Sequence, residues 1–133
     1  MTNPVKETVF IQNLYATPAE WQRDLFYSVV RGGQLKAGPE HRIQRETYPG
    51  HELIFCTAGQ GWIQVNGKRH EISANDLVWV NCHHPHAYGA VTREPWELYW
   101  MRIEGRSLDR IAEKPAQLTI LKQSEKIGRA SCR

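Results

Sequence analysis

The chain is poor in cysteine, and the three it has, Cys56, Cys82 and Cys132, form no CxxC pair and no even set. Such spacing points away from a disulfide framework or a zinc knuckle and leaves reduced thiols as the plain reading. Long hydrophobic runs are also lacking, and the N-terminus, MTNPVKETVF, does not have the charged-then-apolar order of a signal peptide. A soluble, cytoplasmic protein without a membrane partner is expected. Charge of one sign is scarce too: 17 Lys and Arg stand against 14 Asp and Glu, and the basic residues are scattered rather than gathered on one helix. That argues against direct nucleic-acid binding by these residues. No phosphate-cradling glycine motif and no GxSxG nucleophile elbow occurs.

What is present, at a single-domain length of 133 residues, is a series of short strand-like runs between Pro49 and Gly105. Glu52 to Thr57 is closed by Ala58-Gly59, and Gly61 to Val65 leads into Asn66-Gly67, the strongest short hairpin signal in the chain. Lys68 to Ile72 completes that hairpin; an Asn75-Asp76 turn precedes the apolar run LVWV; His86 to Val91 and Trp96 to Ile103 follow. Turn signals every eight to twelve residues predict an antiparallel sandwich or barrel, with no βαβ units and no internal repeats. Upstream, Thr8 to Leu14 reads as an arm or edge strand, and PAEWQRD as a helical turn with Thr17 as N-cap. Leu25 to Val30 is a strand closed by Gly32 and Gly33, and Arg42 to Tyr48 places Ile43, Arg45 and Thr47 on one face. Beyond Ser107, SLDRIAEK has Leu108, Ile111 and Ala112 at helical spacing. The last seven residues, IGRASCR, resemble the translation of a sequencing-library adapter and read as a non-native tail. On that reading the native sequence continues beyond residue 126.

Two constellations carry chemistry. The first is histidine-rich: His83, His84 and His86 lie within four residues, and His51 and Glu52 lie on an earlier strand. A metal-dependent enzyme, dioxygenase-like or isomerase-like, would use His51, His84 and His86. Adjacent His51 and Glu52 project to opposite faces, however, so both cannot enter one site. A facial ligand set is then incomplete without Cys82 or Cys56, a mixture that suits no common non-haem iron centre.

The second is aromatic. His84, His86 and Tyr88 share one strand face, as do Trp96, Leu98, Trp100 and Arg102. The series Arg45, ELIF, Gly-x-Gly-Trp, Asn-Asp-Leu, PHAYG and PWELYW resembles the N-terminal effector-binding domain of AraC-type transcription regulators over residues 26–105. The resemblance implies an all-β cupin fold, a double-stranded β-helix or jelly-roll barrel, with the start of a C-terminal helix. It implies a small-molecule effector inside the barrel, often a sugar, with Arg45, His86, Tyr88 and Trp100 at the pocket positions and Trp96 beside them.

The residues suit a polyol. An indole such as Trp100 packs on the apolar face of a pyranose, an arginine fork serves adjacent hydroxyls, and His86 and Tyr88 each donate or accept. The plainer alternative makes Trp100 a core plug and Arg45 a surface partner of Glu46 or Glu52. Trp62, Trp79 and Trp96 read as packing residues, Trp21 as lying beneath the arm, and His41 and His70 as surface residues. The expected organisation is an arm at 1–17, a barrel at 18–105, the start of a dimerisation helix or linker at 106–126, and the tail at 127–133. No catalytic residue, metal or cofactor is expected. The expected partners are a carbohydrate-like effector, a second copy of the chain, and DNA only through a C-terminal helix-turn-helix domain outside this sequence.

Overall fold

In a computed structural model, residues 7–25, 27–106, 108, 110 and 118–122 are described. Their strands are β1 (Val9–Tyr15), β2 (Ser28–Lys36), β3 (Arg42–Arg45), β4 (His51–Ala58), β5 (Gln60–Val65), β6 (Lys68–Ser73), β7 (Leu77–Asn81), β8 (His86–Ala90), β9 (Glu97–Glu104) and β10 (Leu118–Leu121), with a short helix α1 (Glu20–Leu25) after β1. They form two facing sheets, one ordered β1-β2-β9-β4-β7-β10 and the other β3-β8-β5-β6. Neighbouring strands pair antiparallel throughout, as the short runs and frequent turn signals predict. The β5–β6 hairpin turns on Asn66 and Gly67 at φ 55° and 75°, the double positive φ of a type I′ turn.

The core lies between the sheets. Ile54, Ile63, Ile72, Val78, Val80, Trp96 and Leu98 are each at most 2% exposed. Burying an aliphatic side chain contributes about 1.5–3 kcal/mol, so these alternate inward positions fix the register against a one-residue slip. Outward positions of the larger sheet are also apolar: Leu53, Phe55, Leu77, Tyr99 and Met101 line its outer face.

Several expectations change. β2 runs through Gly32 and Gly33 instead of ending there. A Cβ on Gly33 would sit 3.0 Å from Trp100 Nε1 and 2.3 Å from the Gln12 carbonyl oxygen, so the missing side chain lets strand β1 and the indole approach together. Leu118–Leu121, read as linker, forms edge strand β10 on β7. It is held by Lys122, whose Nζ meets Asp76 Oδ2 at 2.8 Å. Trp21 is exposed rather than beneath the arm. Beyond Gly105, the helix expected from Ser107 falls on a stretch of which only Arg106, Leu108 and Arg110 are described, and the tail at 127–133 lies outside the described residues.

Candidate functional site

Between the sheets is a cavity of about 180 Å³, floored by Leu35, Ile43, Ile54 and Leu98 and edged by Phe10 of β1. Its polar groups come from strands far apart in sequence: Arg31 (β2), Arg45 (β3), Glu52 (β4), Tyr88 (β8), and Trp100 and Arg102 (β9), with His41 and Tyr48 flanking β3. Register brings them together, because Glu52 pairs with Arg102, Arg31 with Arg102, and Gly33 with Trp100 across adjacent strands. Residues directly opposite on antiparallel strands face the same way.

Tyr48 is the hub. Arg45 and Arg102 place their Cζ atoms 4.5 Å and 3.6 Å from its ring centroid. Its hydroxyl accepts from Arg31 Nη1 at 3.3 Å, and its carbonyl from Arg102 Nη2 at 2.8 Å. Arg102 Nη2 also donates to the Pro49 carbonyl. Arg31 reaches the Tyr15 hydroxyl at 3.2 Å and lies 5.7 Å from the Trp100 ring centre. Among the described residues that line the cavity, one carboxylate accompanies these three cations. Glu52 Oε2 is 3.9 Å from Arg45 Nη1, close enough to attract but too far to hydrogen bond. Among the described residues, Arg31 Nε, Arg45 Nη1, Arg102 Nη1, Trp100 Nε1, Glu52 Oε2 and His86 Nε2 are buried polar atoms without a hydrogen-bond partner. A cluster of such atoms is unusual, since most buried polar groups in proteins are paired.

Burial pushes the Glu52 carboxyl up, against the pull of Arg45, Arg102, the Tyr88 hydrogen bond and Arg31. Burial, with Glu52 beside it, pushes the Tyr88 hydroxyl well up. Burial lowers the pKa of His41 in the cavity lining and of His86 on β8. His41 accepts from Trp96 Nε1 at its Nδ1 (3.3 Å), which leaves the proton on Nε2, since an indole only donates. His86 has Nδ1 2.8 Å from the His84 carbonyl oxygen, so Nδ1 carries its proton. Cys56 and Cys82 are pushed up to about 11 by burial and are not nucleophiles at neutral pH.

Of the residues singled out by sequence, Arg45, Tyr88 and Trp100 line the cavity. His86 lies behind Arg45, where the two border a separate surface depression. Trp96 is fully buried and does not line the cavity: its ring occupies the place a Gly61 side chain would take, 2.2 Å from a Cβ there. His41, read as a surface residue, lines the cavity and holds Trp96. Arg31, Tyr48, Glu52 and Arg102 were not singled out as ligand residues. Parity offered Arg102, which shares the Trp100 face; Arg31 was hidden by a register shift between Val29 and Arg31. The alternative metal set is not assembled. His51 projects away from the cavity, accepting from Trp79 Nε1 at 3.1 Å and lying edge-on to His83, while Glu52 faces inward. Among the described residues no group of three His, Cys, Asp or Glu could hold a metal ion.

A family description, the AraC-like ligand binding domain, matches residues 33–130, well over half of the chain. The chain belongs to this family. The AraC-like domain is also 32% identical over 89 residues to the MmsAB operon regulatory protein of Pseudomonas aeruginosa, covering 64% of this chain and 28% of that protein. It thus spans under a third of that relative's length. The AraC-like fold is shared with the Cupin_2 domain of an XRE family transcriptional regulator from Enterobacter cloacae (TM-score 0.53, 13% identity, 74% of this chain and 97% of that one). It is shared too with a Cupin 2 conserved barrel protein from Salinispora arenicola (TM-score 0.53, 16% identity, 77% and 83%). These likenesses establish the cupin barrel, and the family makes it a ligand-binding domain.

Proposed function

We propose that this domain senses a polar small-molecule effector held in the cavity between its sheets, and that occupancy is passed to a DNA-binding domain elsewhere in a longer AraC-type regulator. The observation that carries the reading is the set of buried, unpartnered polar atoms on Arg31, Arg45, Glu52, Trp100 and Arg102, residues that all line a cavity with apolar walls. Apolar walls with a few converging polar groups are the usual form of a small-ligand site. Within this reading Arg45, Tyr88 and Trp100 contact the effector, His86 backs Arg45 from the paired strand, and Trp96 packs behind the wall residues His41 and Tyr88. The effector carries hydroxyl groups, as a carbohydrate or a related metabolite does. The protein acts as a cytoplasmic homodimer and is not an enzyme.

Strand β1 is the proposed relay. Phe10 edges the cavity and Tyr15 holds Arg31, so a bound molecule meets the strand at Phe10 and reaches Tyr15 through Arg31. A ligand shifts such an equilibrium only by its differential affinity for the two arrangements. The test is a thermal-shift panel of sugars and polar metabolites on the wild type and on Trp100→Ala. A ligand that raises the melting temperature of the wild type and loses most of that effect in the variant is expected. Equal stabilisation of both removes Trp100 from the site.

A further inference from the structure

The cavity carries more positive than negative charge. Arg31, Arg45 and Arg102 all face it, and an arginine stays protonated at any ordinary pH. Among the described residues Glu52 is the one acidic residue of its lining. Whether Glu52 is ionised or neutral, an excess of at least two positive charges faces a largely apolar chamber. What screens that excess is weak: the Tyr48 ring between Arg45 and Arg102, the Tyr15 and Tyr48 hydroxyls on Arg31, and the Tyr48 and Pro49 carbonyls on Arg102. Arg102 is only 4% exposed, and its Nη1 has no partner among the described residues. Grouped cations with little water around them repel unless an anion joins them; Arg102 is the buried one, while Arg31 and Arg45 keep part of their surface in water.

Resting on the effector-sensing reading, we propose that the effector is a small hydroxylated monocarboxylate, a sugar acid or short hydroxy acid, rather than a neutral sugar. The carboxylate takes the unpartnered N–H groups Arg31 Nε, Arg45 Nη1 and Arg102 Nη1, the planar donor array that guanidinium groups offer to a carboxylate. A hydroxyl donates to Glu52 Oε2, and another accepts from Trp100 Nε1. The carbon skeleton lies against Leu35, Ile54 and Leu98. The contact set discriminates by charge, because a neutral polyol leaves the three cations uncompensated.

The test is titration calorimetry on this 133-residue chain with matched pairs: gluconate against glucose, arabinonate against arabinose, and 3-hydroxybutyrate against 1,3-butanediol, each also run with chloride as the competing anion. Each acid of the binding pair is expected to bind at least about tenfold more tightly than its neutral partner. Arg45→Gln and, separately, Arg31→Gln are expected to abolish that preference while circular dichroism shows the fold retained. Having two variants covers the case in which one fails to fold. Preferential binding of a neutral partner overturns the carboxylate assignment and leaves effector sensing standing. Displacement of the acids by equimolar chloride overturns it as well. Binding of no acid at millimolar concentration overturns it too, and if a wider neutral panel is also silent, the effector-sensing reading falls with it.

Discussion

The guanidinium of Arg102 lies over the ring of Tyr48, 3.6 Å from its centroid, and also donates to the backbone carbonyl of the same residue. One side chain therefore ties β9 to the connection between β3 and β4. Arg102→Met is expected to cost about 2–4 kcal/mol, because two carbonyls lose a charged donor and the cation–π contact goes with it. Relief of repulsion with Arg31 and Arg45 offsets only part of this. Arg45→Met, in which the replaced side chain is 28% exposed and holds Glu52 at 3.9 Å, is expected to cost under about 1 kcal/mol. Urea denaturation of the two variants measures the difference, and equal losses would refute the anchoring role of Arg102.

Gly61 and Trp96 make the sharpest steric prediction. A methyl group on Gly61 would stand 2.2 Å from two indole atoms, in a core with no exposed side to yield. Gly61→Ala is expected to destabilise the protein by about 1–3 kcal/mol or more through overpacking. Gly67→Ala meets open space and pays only for its φ of +75°, about 1 kcal/mol. Melting temperatures should rank wild type, Gly67→Ala and Gly61→Ala in descending order.

Asp76 is 4% exposed at its side chain, accepts from the Ser73 backbone N–H at 2.8 Å and pairs with Lys122, which is 52% exposed. Asp76→Ala strips a buried turn of its acceptor and is expected to cost about 1–3 kcal/mol. Lys122→Ala removes only a half-exposed partner and should cost less than about 1 kcal/mol. Hydrogen exchange at β10 reports the second change more sensitively than global unfolding, since an edge strand opens locally.

The buried histidines give the fold an acid weakness. Burial lowers the pKa of His41 from its ordinary 6.5, and does the same for His86 against the opposing carbonyl of His84. The unfolded chain takes up these protons first, so their contribution is present above about pH 6.5 and is lost as the pH falls through the folded values. His41→Gln should flatten the stability curve over that range. Glu52 runs the other way: burial raises it, so its contribution is greatest at low pH and declines as the pH rises above the usual carboxylate range. Glu52→Gln is therefore expected to be most costly near pH 4 and least costly at neutral pH, read by denaturation at each pH.

The barrel was legible because its signals are local. Asn66-Gly67 dictates a turn by its own backbone preferences, and alternation along β4, β7 and β9 dictates which residues face inward. The cavity was half legible. Parity brought Tyr88 and Trp100 to one interior, but it does not tell how deep along the barrel a residue sits, so Trp96 and His86 were grouped with them. Glu52 was weighed for its chemistry with His51, and its true companions lie on β2, β3 and β9, contacts that no spacing along the chain encodes. Strand β10 was not legible because Leu118–Leu121 is short and gains its order from β7 and from the Lys122–Asp76 pair.

Strand β4 pairs with both β7 and β9, and its residues alternate between two environments: Glu52 in the charged chamber, Leu53 and Phe55 on the apolar outer surface. A single peptide unit separates the carboxylate from the first of these. A shift of the β4 backbone that carries Glu52 toward or away from the arginines carries Leu53 along with it, since the two are consecutive residues of one paired strand. The interior chemistry and the external relief of this sheet are therefore carried on the same strand, one residue apart.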